Sequence, residues 1–248
     1  MKNLLDMKTD FLIVGAGILG LSIAKKIIEQ GYDNIVILEK EDSIGLHSSG
    51  RNSGVLHAGI YYGSDSLKAK YCLNGNLKMQ EYCRRKKLPL DNCGKVIVAK
   101  DLSEITVLDK LYRQASANGA EVRMIDLSKI EPSAKTYEKA IYSINTAIIN
   151  PMAVLDSLVN DIKKSNKVRI VTGARYLGLE SSNIARTSSG NIEFVKFINV
   201  AGSHADKVAH SFGLAKQYTS MPFKGVYFKL KDADACPVNG NIYPVPNL

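Results

Sequence analysis

The chain has 248 residues, 45% of them hydrophobic, and a formal net charge of +9. This length allows one large domain or two small ones, and no apolar run approaches the roughly 18 residues of a membrane span. Residues 1–9 carry both charge signs without an apolar segment, so we predict no signal peptide and a cytoplasmic location. The basic groups do not alternate with aromatic residues, so we expect no nucleic-acid partner. They suit an anionic small molecule and would tolerate at most peripheral contact with the inner face of a membrane.

The cysteines and histidines show no metal-binding spacing. The cysteines form no CxxC pair and the histidines no HExxH pattern. We therefore expect free thiols in a reducing compartment and no metal site. The cysteines are Cys72, Cys83, Cys93 and Cys236.

A dinucleotide motif begins the chain. The segment 10–20 reads DFLIVGAGILG, which predicts a buried strand over 11–14, a G-x-G-x-x-G turn and a helix over 21–29. A second strand over 35–38 ends at Glu39. In this arrangement the first glycine permits the tight turn, the second lets the backbone approach a pyrophosphate, and the third packs the helix on the strand. These glycines are Gly15, Gly17 and Gly20.

Glu39 lies at the position from which a carboxylate accepts hydrogen bonds from ribose hydroxyls, which favours FAD or NAD over NADP. A second informative stretch, SIGLHSSGRNSGVLHAGIYYG at 43–63, is rich in Gly, Ser and Asn. Such a loop can wrap a phosphate or a flavin edge, although a plain surface loop is the alternative.

Several motifs together resemble the FAD-dependent D-amino-acid-oxidase-like superfamily and, within it, the L-2-hydroxyglutarate oxidases and dehydrogenases. The resemblance lies in GAGILGLSIA, ILEK and SSGRNSGVLHAGIYYGSDSLKAKYC, and continues through GKVIVA at 94–99, INVAGSHADKVA at 198–209 and PFKGVYFKL at 222–230. It covers nearly the whole chain.

The resemblance implies an α/β fold, in which a Rossmann-like FAD-binding domain with a ββα-type nucleotide site carries an inserted α+β substrate domain. We assign residues 1–87 and 150–215 to the FAD-binding domain and 88–149 and 216–248 to the substrate domain. Members of the family usually continue well past residue 248, so the substrate domain is expected to be incomplete at its C-terminus.

The predicted FAD contacts combine the glycine motif, the following acid and the polar loop. In the resembled family the strand around Tyr176 holds the adenine through its backbone, and a strand ending in Ala201-Gly202 lets the backbone pass the cofactor closely. Ser48 and Ser49 are expected near the phosphates. The full set is Gly15, Gly17, Ile18, Gly20, Glu39, Lys40, Ser48, Ser49, Arg51, Asn52, Ser53, Tyr176, Ala201 and Gly202.

The reaction that the resemblance implies is hydride transfer from a 2-hydroxy acid to flavin, with L-2-hydroxyglutarate becoming 2-oxoglutarate. His57 is the predicted base, because imidazole accepts protons near pH 7; a loop histidine that only hydrogen-bonds is the alternative. Tyr61, Lys68 and Lys224 are weaker candidates for binding a substrate carboxylate. Surface positions are the alternative for both lysines.

The remaining helices are expected over 66–87, 102–118, 152–164 and 206–212, and strands over 96–99, 168–172, 175–179, 194–200 and 221–230. Gly75 within the first of these helices predicts a close approach to the cofactor loop. Pro151 is expected to start its helix.

Two departures from the family pattern leave alternatives open. The family usually reads Arg-Gly-Glu-Tyr where this chain has KGVY at 224–227, and it often has Gly and Asp near Ala147 and Asn150. One alternative is a substrate such as glycerol 3-phosphate or an amino acid. Another is an inactive fragment, or one half of a split flavoenzyme that needs a complementing C-terminal chain. An NAD-dependent dehydrogenase is a more distant alternative, and the electron acceptor is oxygen or a quinone.

Overall fold

A computed structural model describes residues 7–228, 230–231 and 237–246. Cys236, one residue of the predicted strand over 221–230 and the last two residues of the chain lie outside this description. The elements follow in the order β1 (Met7–Val14), α1 (Ile18–Glu29), β2 (Ile35–Leu38), β3 (Val55–Leu56), α2 (Leu67–Lys86), β4 (Leu90–Asp91), β5 (Lys95–Val98), α3 (Leu102–Ala117), β6 (Val122–Ile125), β7 (Ala140–Ser143), β8 (Ala147–Ile149), α4 (Pro151–Lys163), β9 (Val168–Val171), β10 (Tyr176–Ser181), β11 (Ile184–Thr187), β12 (Gly190–Asn199), α5 (Ala205–Ser211) and β13 (Asn241–Pro244).

The chain divides into two compact units. The first comprises Met1–Asn52 and Pro151–Val226, and the second comprises Ser53–Asn150 and Tyr227–Leu248. Each unit is discontinuous in sequence. The division falls at residue 52, whereas the domain bounds drawn from the sequence run to residue 87; that assignment to FAD-binding and substrate domains stays a prediction.

The first unit contains a sheet with the strand order β10-β11-β12-β1-β2-β9. Strands β12, β1, β2 and β9 are parallel, and β10 and β11 extend the sheet antiparallel. Leu12, Ile13 and Ile37 are fully buried, as a parallel strand covered on both faces requires. The apolar runs that predicted β1 and β2 are therefore explained by burial.

Parallel pairing brings the carboxyl ends of three strands to one edge of this sheet. Val14 lies opposite Leu38 in β2 and opposite Asn199 in β12. The turn after β1 is tied to its neighbours, because the Gly15 N–H donates to the Leu38 carbonyl at 2.8 Å and the Val200 N–H donates to the Val14 carbonyl at 3.0 Å. The glycine turn, Glu39 and Ala201 consequently lie together.

The second unit contains two smaller sheets, with strand orders β13-β5-β7-β6 and β3-β8-β4. Strand β13 pairs parallel with β5, and β5, β7 and β6 pair antiparallel. Ile97, Leu108, Leu111 and Ile141 lie in one buried cluster of this unit, which joins β5, α3 and β7. Lys95, the first residue of β5, is 1% exposed.

Most predicted elements are confirmed within two or three residues, including a helix that starts at Pro151, although β1 and β12 begin earlier than expected.

Three predictions are wrong. Residues 221–228 form no strand, and Phe223 among them is 90% exposed, because apolar content makes a strand only where a neighbouring strand pairs with it. Gly75 lies on an open face of α2, where an added Cβ would meet no atom within 4 Å. The nucleotide motif is β1–α1–β2 rather than ββα.

Candidate functional site

The glycine turn after β1 cannot accommodate side chains. Gly15 has φ = +113°, and a Cβ there would lie 2.3 Å from the Val200 carbonyl oxygen. A Cβ on Gly20 would lie 1.9 Å from the Gly15 carbonyl oxygen, so this glycine lets the first turn of α1 pack on the strand. The structure thus gives steric reasons for the first and third glycines of the motif.

The N-terminus of α1 is available to an anion. Its N-cap, Gly17, makes no side-chain cap hydrogen bond, and the first turn contains no acidic residue. The Ile18 N–H donates to the Ser49 hydroxyl at 3.0 Å, and a Cβ on Gly17 would lie 2.8 Å from that hydroxyl oxygen. The polar loop therefore reaches the helix end, where free N–H groups and the helix dipole favour negative charge.

Glu39 closes the other side of the turn. Its Oε2 accepts a hydrogen bond from the Ala16 N–H at 3.1 Å, and its Oε1 accepts from the Glu41 N–H at 3.1 Å. The carboxylate is therefore held at the end of β2 beside the glycine turn. This is the position that the sequence predicts for a ribose-binding acid.

These groups border a cavity of about 570 Å³ in the first unit, which we call the glycine-loop cavity. Ten of the predicted cofactor residues line it: Gly15, Gly17, Ile18, Glu39, Lys40, Ser48, Ser49, Tyr176, Ala201 and Gly202.

The glycine-loop cavity is electropositive. Burial lowers the pKa of His204, and the positive charges of Lys40 and Lys207 lower it further, followed by smaller effects from His47 and Arg175. Lys40 contacts Glu41, which also accepts from His47 Nε2 at 2.8 Å. Hydrogen bonds from Lys40 and then His47 lower the pKa of Glu41 to about 2. A group of cations around one cavity matches the charge of a pyrophosphate.

The sequence interpretation missed His47, Arg175, His204 and Lys207, all of which line the cavity. His47 and His204 lie edge to face with ring centroids 6.1 Å apart, although they are separated by more than 150 residues. Arg175 carries a sequence signal, since it immediately precedes the predicted adenine contact Tyr176. The other three depend on how the chain folds.

Four predicted cofactor residues do not line the cavity. Gly20 packs inside the motif, and Arg51 is exposed on the surface. Asn52 braces the polar loop, because its Nδ2 donates to the Ser48 and Ser49 carbonyls at 2.9 and 3.0 Å. Ser53 is exposed and begins the second unit. Contacts of these residues with a flavin stay predictions.

The predicted catalytic and substrate residues divide into two groups. Lys68 and Lys224 are exposed, and Lys68 Nζ lies 5.8 Å from the centre of the Tyr62 ring. His57 and Tyr61 belong to a partly buried cluster in the second unit. This Lys95 cluster consists of Lys95, Tyr61, Tyr243 and His57.

Lys95 lies at the centre of its cluster. Its ammonium donates to the Tyr61 hydroxyl at 3.3 Å and lies 4.5 and 5.0 Å from the ring centres of Tyr61 and Tyr243. Burial lowers the pKa of Lys95 to about 8, and burial raises the pKa of Tyr61 well above its usual range. Burial first, and then the charge of Lys95, lower the pKa of His57, so its imidazole is neutral at pH 7.

No group of three or more His, Cys, Asp and Glu side chains that could hold a metal occurs in the described part of the chain. The same residues contain no helix both long and apolar enough to cross a membrane.

A parallel sheet with a glycine turn, an acid after the second strand and a cationic cavity defines a dinucleotide-binding α/β protein. Residues 10–248 match the family described as FAD dependent oxidoreductase (DAO), and the chain belongs to this family. The family resemblance and the α/β fold class predicted from the sequence are therefore confirmed, and FAD is the cofactor of the family.

The curated relatives include proteins named L-2-hydroxyglutarate dehydrogenase. The Caenorhabditis elegans mitochondrial protein is 36% identical, with 99% of this chain and 60% of that protein covered. The human mitochondrial protein is 34% identical (96% and 55% covered), and the Escherichia coli K12 protein is 35% identical (96% and 58% covered). The chain thus spans 55–60% of the length of these relatives.

Solved structures share the fold at low sequence identity. An L-alpha-glycerophosphate oxidase from Mycoplasma pneumoniae with FAD bound superimposes with a TM-score of 0.77 at 21% identity, over 98% of this chain and 66% of that one. A glycine oxidase from Geobacillus kaustophilus gives a TM-score of 0.76 at 18% identity, over 85% and 60%. These similarities establish the fold alone.

Proposed function

We propose that the chain binds FAD in the glycine-loop cavity and acts in the oxidation of L-2-hydroxyglutarate to 2-oxoglutarate. The observation that supports this choice of substrate is the 34–36% identity, over 96–99% of this chain, to relatives named for that reaction. This chain spans 55–60% of the length of those relatives, so their reaction is carried over to it as a proposal.

The residues of the first unit fit the adenine dinucleotide part of FAD. The α1 N-terminus and Ser49 would hold the pyrophosphate, with Lys40 and Lys207 as cations that line the same cavity, and Glu39 would accept hydrogen bonds from the ribose. The backbone at Ala201 and Gly202 would allow close approach. When bound, FAD supplies the hydride acceptor, and the protein must bind, orient and deprotonate the substrate.

His57 is the proposed base for the substrate hydroxyl. Its Nδ1 is buried and has no hydrogen-bond partner within the described ranges, and its lowered pKa leaves the imidazole neutral and able to accept a proton at pH 7. For Nδ1 to accept the proton, the neutral ring must carry its own proton on Nε2, and the product is the imidazolium.

The test is anaerobic reduction of the FAD-loaded 248-residue chain. We expect L-2-hydroxyglutarate to bleach the flavin absorbance, with D-2-hydroxyglutarate and glycerol 3-phosphate as substrate controls. His57→Asn should retain the flavin but slow the bleaching by about 100-fold, the usual contribution of a general base. Reoxidation with oxygen or a soluble quinone then separates the two proposed acceptors.

Two results would contradict the proposal at different points. A chain that stays colourless with added FAD contradicts cofactor binding. If the flavin is retained but only another substrate, such as glycerol 3-phosphate, bleaches it, FAD binding is supported and L-2-hydroxyglutarate is contradicted as the substrate.

A further inference from the structure

Lys95 is a buried cation without an acidic partner in the part of the chain that the structure describes. Among the residues that the structure describes, its ammonium contacts the Tyr61 hydroxyl oxygen and two aromatic faces, those of Tyr61 and Tyr243. Such contacts stabilise a cation less than a carboxylate does. A buried charge in this state is costly, so packing alone does not account for a lysine at this position.

A second unsatisfied group lies in the same cluster. The His57 ring meets the Tyr243 ring edge to face, with centroids 6.0 Å apart, and its Nδ1 has no hydrogen-bond partner among residues 7–228, 230–231 and 237–246. The cluster draws its members from three separate segments: the loop after β3, the start of β5 and strand β13. An ammonium, a phenol and an imidazole are therefore brought together by the fold.

We propose that the Lys95 cluster is the subsite that binds one carboxylate of a dicarboxylic 2-hydroxy acid, with Lys95 as its counter-charge. The proposal rests on the function proposed above and names the residue that pairs with one of the two substrate carboxylates. A carboxylate accepts hydrogen bonds from ammonium, phenol and imidazole donors together, and within the described ranges these donors have no acidic partner. Lys68 and Lys224 are exposed and solvated, so they offer a weaker electrostatic contribution.

Binding of an anion at Lys95 would also change His57. The positive charge of Lys95 is one cause of the lowered pKa of His57, after burial. A carboxylate paired with that charge would offset its effect and make the imidazole a better proton acceptor when substrate is present. The subsite would thus couple substrate recognition to proton removal.

The groups that face Lys95 determine how binding depends on pH. They are Tyr61 on the loop, Tyr243 on β13, His57 beside it and the Cys72 thiol of α2, whose negative form would raise the pKa of Lys95. Burial raises the pKa of both tyrosines and of Cys72, so Lys95 loses its charge first as the pH rises through about 8. Affinity for the anion should therefore fall above pH 8.

The test measures binding of glutarate, a dicarboxylate with no hydroxyl to oxidise, to the full chain with FAD added. We expect calorimetry at pH 7 to give Lys95→Met a dissociation constant at least about tenfold higher than the unsubstituted chain, the loss of one charged hydrogen-bonded pair. Lys110→Met is the matched control, because it removes the same charge from an exposed position on α3 and should leave the affinity unchanged. Butyrate, a monocarboxylate, should bind the unsubstituted chain more weakly than glutarate does.

A second variant tests the same subsite with a smaller change, in case Lys95→Met fails to fold. Tyr61→Phe keeps the ring and removes the hydroxyl, and we expect it to raise the dissociation constant about threefold. Unchanged glutarate affinity in folded Lys95→Met, an equal loss in Lys110→Met, or no glutarate binding by the unsubstituted chain would each overturn the proposal.

Failure of this inference is distinguishable from failure of the proposed function. If L-2-hydroxyglutarate bleaches the flavin but Lys95→Met leaves KM unchanged, the proposed reaction is supported and the proposed Lys95 subsite is contradicted. If glutarate binding depends on Lys95 but L-2-hydroxyglutarate does not bleach the flavin, the proposed subsite is supported and the proposed reaction is contradicted. A subsite role predicts a raised KM in Lys95→Met with a smaller change in kcat.

Discussion

In the first unit, the glycine-loop cavity presents backbone N–H groups and solvated cations to an anion, whereas in the second unit the Lys95 cluster holds one ammonium beneath two tyrosine rings. The cavity is open and built around a contiguous motif, with Gly15, Gly17 and Glu39 within 25 residues of one another. Lys95 is 1% exposed and surrounded by residues from distant segments. An anion is thus attracted by fixed backbone dipoles in one unit and by a buried charge in the other.

The two anion-binding arrangements differ in their effect on the stability of the folded chain. The first N–H groups of any helix lack a partner within the helix, so presenting them to a ligand costs no additional burial. An ammonium without an acidic partner is destabilising until a counter-ion arrives. Substitutions should therefore have opposite effects on stability at the two sites.

The largest effect is expected from Gly20→Ala in the first unit. An added Cβ would lie 1.9 Å from the Gly15 carbonyl oxygen, so β1 and α1 must separate. We expect the free energy of unfolding, measured by urea denaturation, to fall by about 4 kcal/mol, above the usual cost of overpacking because the clash is with backbone. Gly75→Ala is the control, because it meets no atom within 4 Å and should stabilise α2 by up to about 1 kcal/mol. Equal effects of the two substitutions would show that Gly20 is not needed for close packing.

The opposite sign is expected for Lys95→Met in the second unit. Lys95 has a pKa of about 8 in the folded chain against 10.5 in the unfolded one, so the unfolded chain holds the proton more tightly between these values. The stability of the unsubstituted chain should therefore rise from pH 8 to pH 10.5, and the full penalty, about 3 kcal/mol, applies below pH 8. Lys95→Met should be more stable by up to that amount at pH 7.

Denaturation of both proteins at pH 7 and pH 10.5 checks this prediction. The difference in unfolding free energy should shrink as the pH rises, because the unsubstituted lysine becomes neutral. Lys110→Met should show no such pH-dependent difference. A Lys95→Met protein less stable than its parent at pH 7 would mean that Lys95 has a structural partner.

A smaller effect is expected for Glu39→Gln in the glycine-loop cavity. The amide keeps the size of the side chain but loses the charge that strengthens hydrogen bonds from the Ala16 N–H and from a ribose. We expect FAD to bind about tenfold more weakly, in line with one charged hydrogen bond. Titration of flavin fluorescence measures this, with Glu29→Gln, at the exposed end of α1, as the matched control.

The smallest effect is expected for Lys207→Met. This exposed lysine lines the cavity, and its charge is screened by water and salt. We expect about threefold weaker FAD binding at low ionic strength and no difference in 1 M salt. A salt-independent loss would indicate a direct contact that solvent does not screen.

Local sequence patterns predicted the first unit well. A strand, a glycine turn, a helix and a second strand are consecutive in the chain, so each residue type reports directly on its own backbone. Ten of the fourteen predicted cofactor residues line the cavity, because parallel strands end at one edge of a sheet. Segment 221–228 misled the same reasoning, since its apolar residues do not specify whether another strand is available for pairing.

By itself, the sequence determined the family, the dinucleotide motif and the main elements of the sheet, since these depend on neighbours along the chain. Only the tertiary structure placed Lys40 and Lys207 near His204, and Lys95 beneath Tyr61 and Tyr243. In GKVIVA, Lys95 reads as a polar residue at the edge of an apolar strand. Burial by distant segments makes it a cation in need of an anion, because desolvation depends on what surrounds a charge in space.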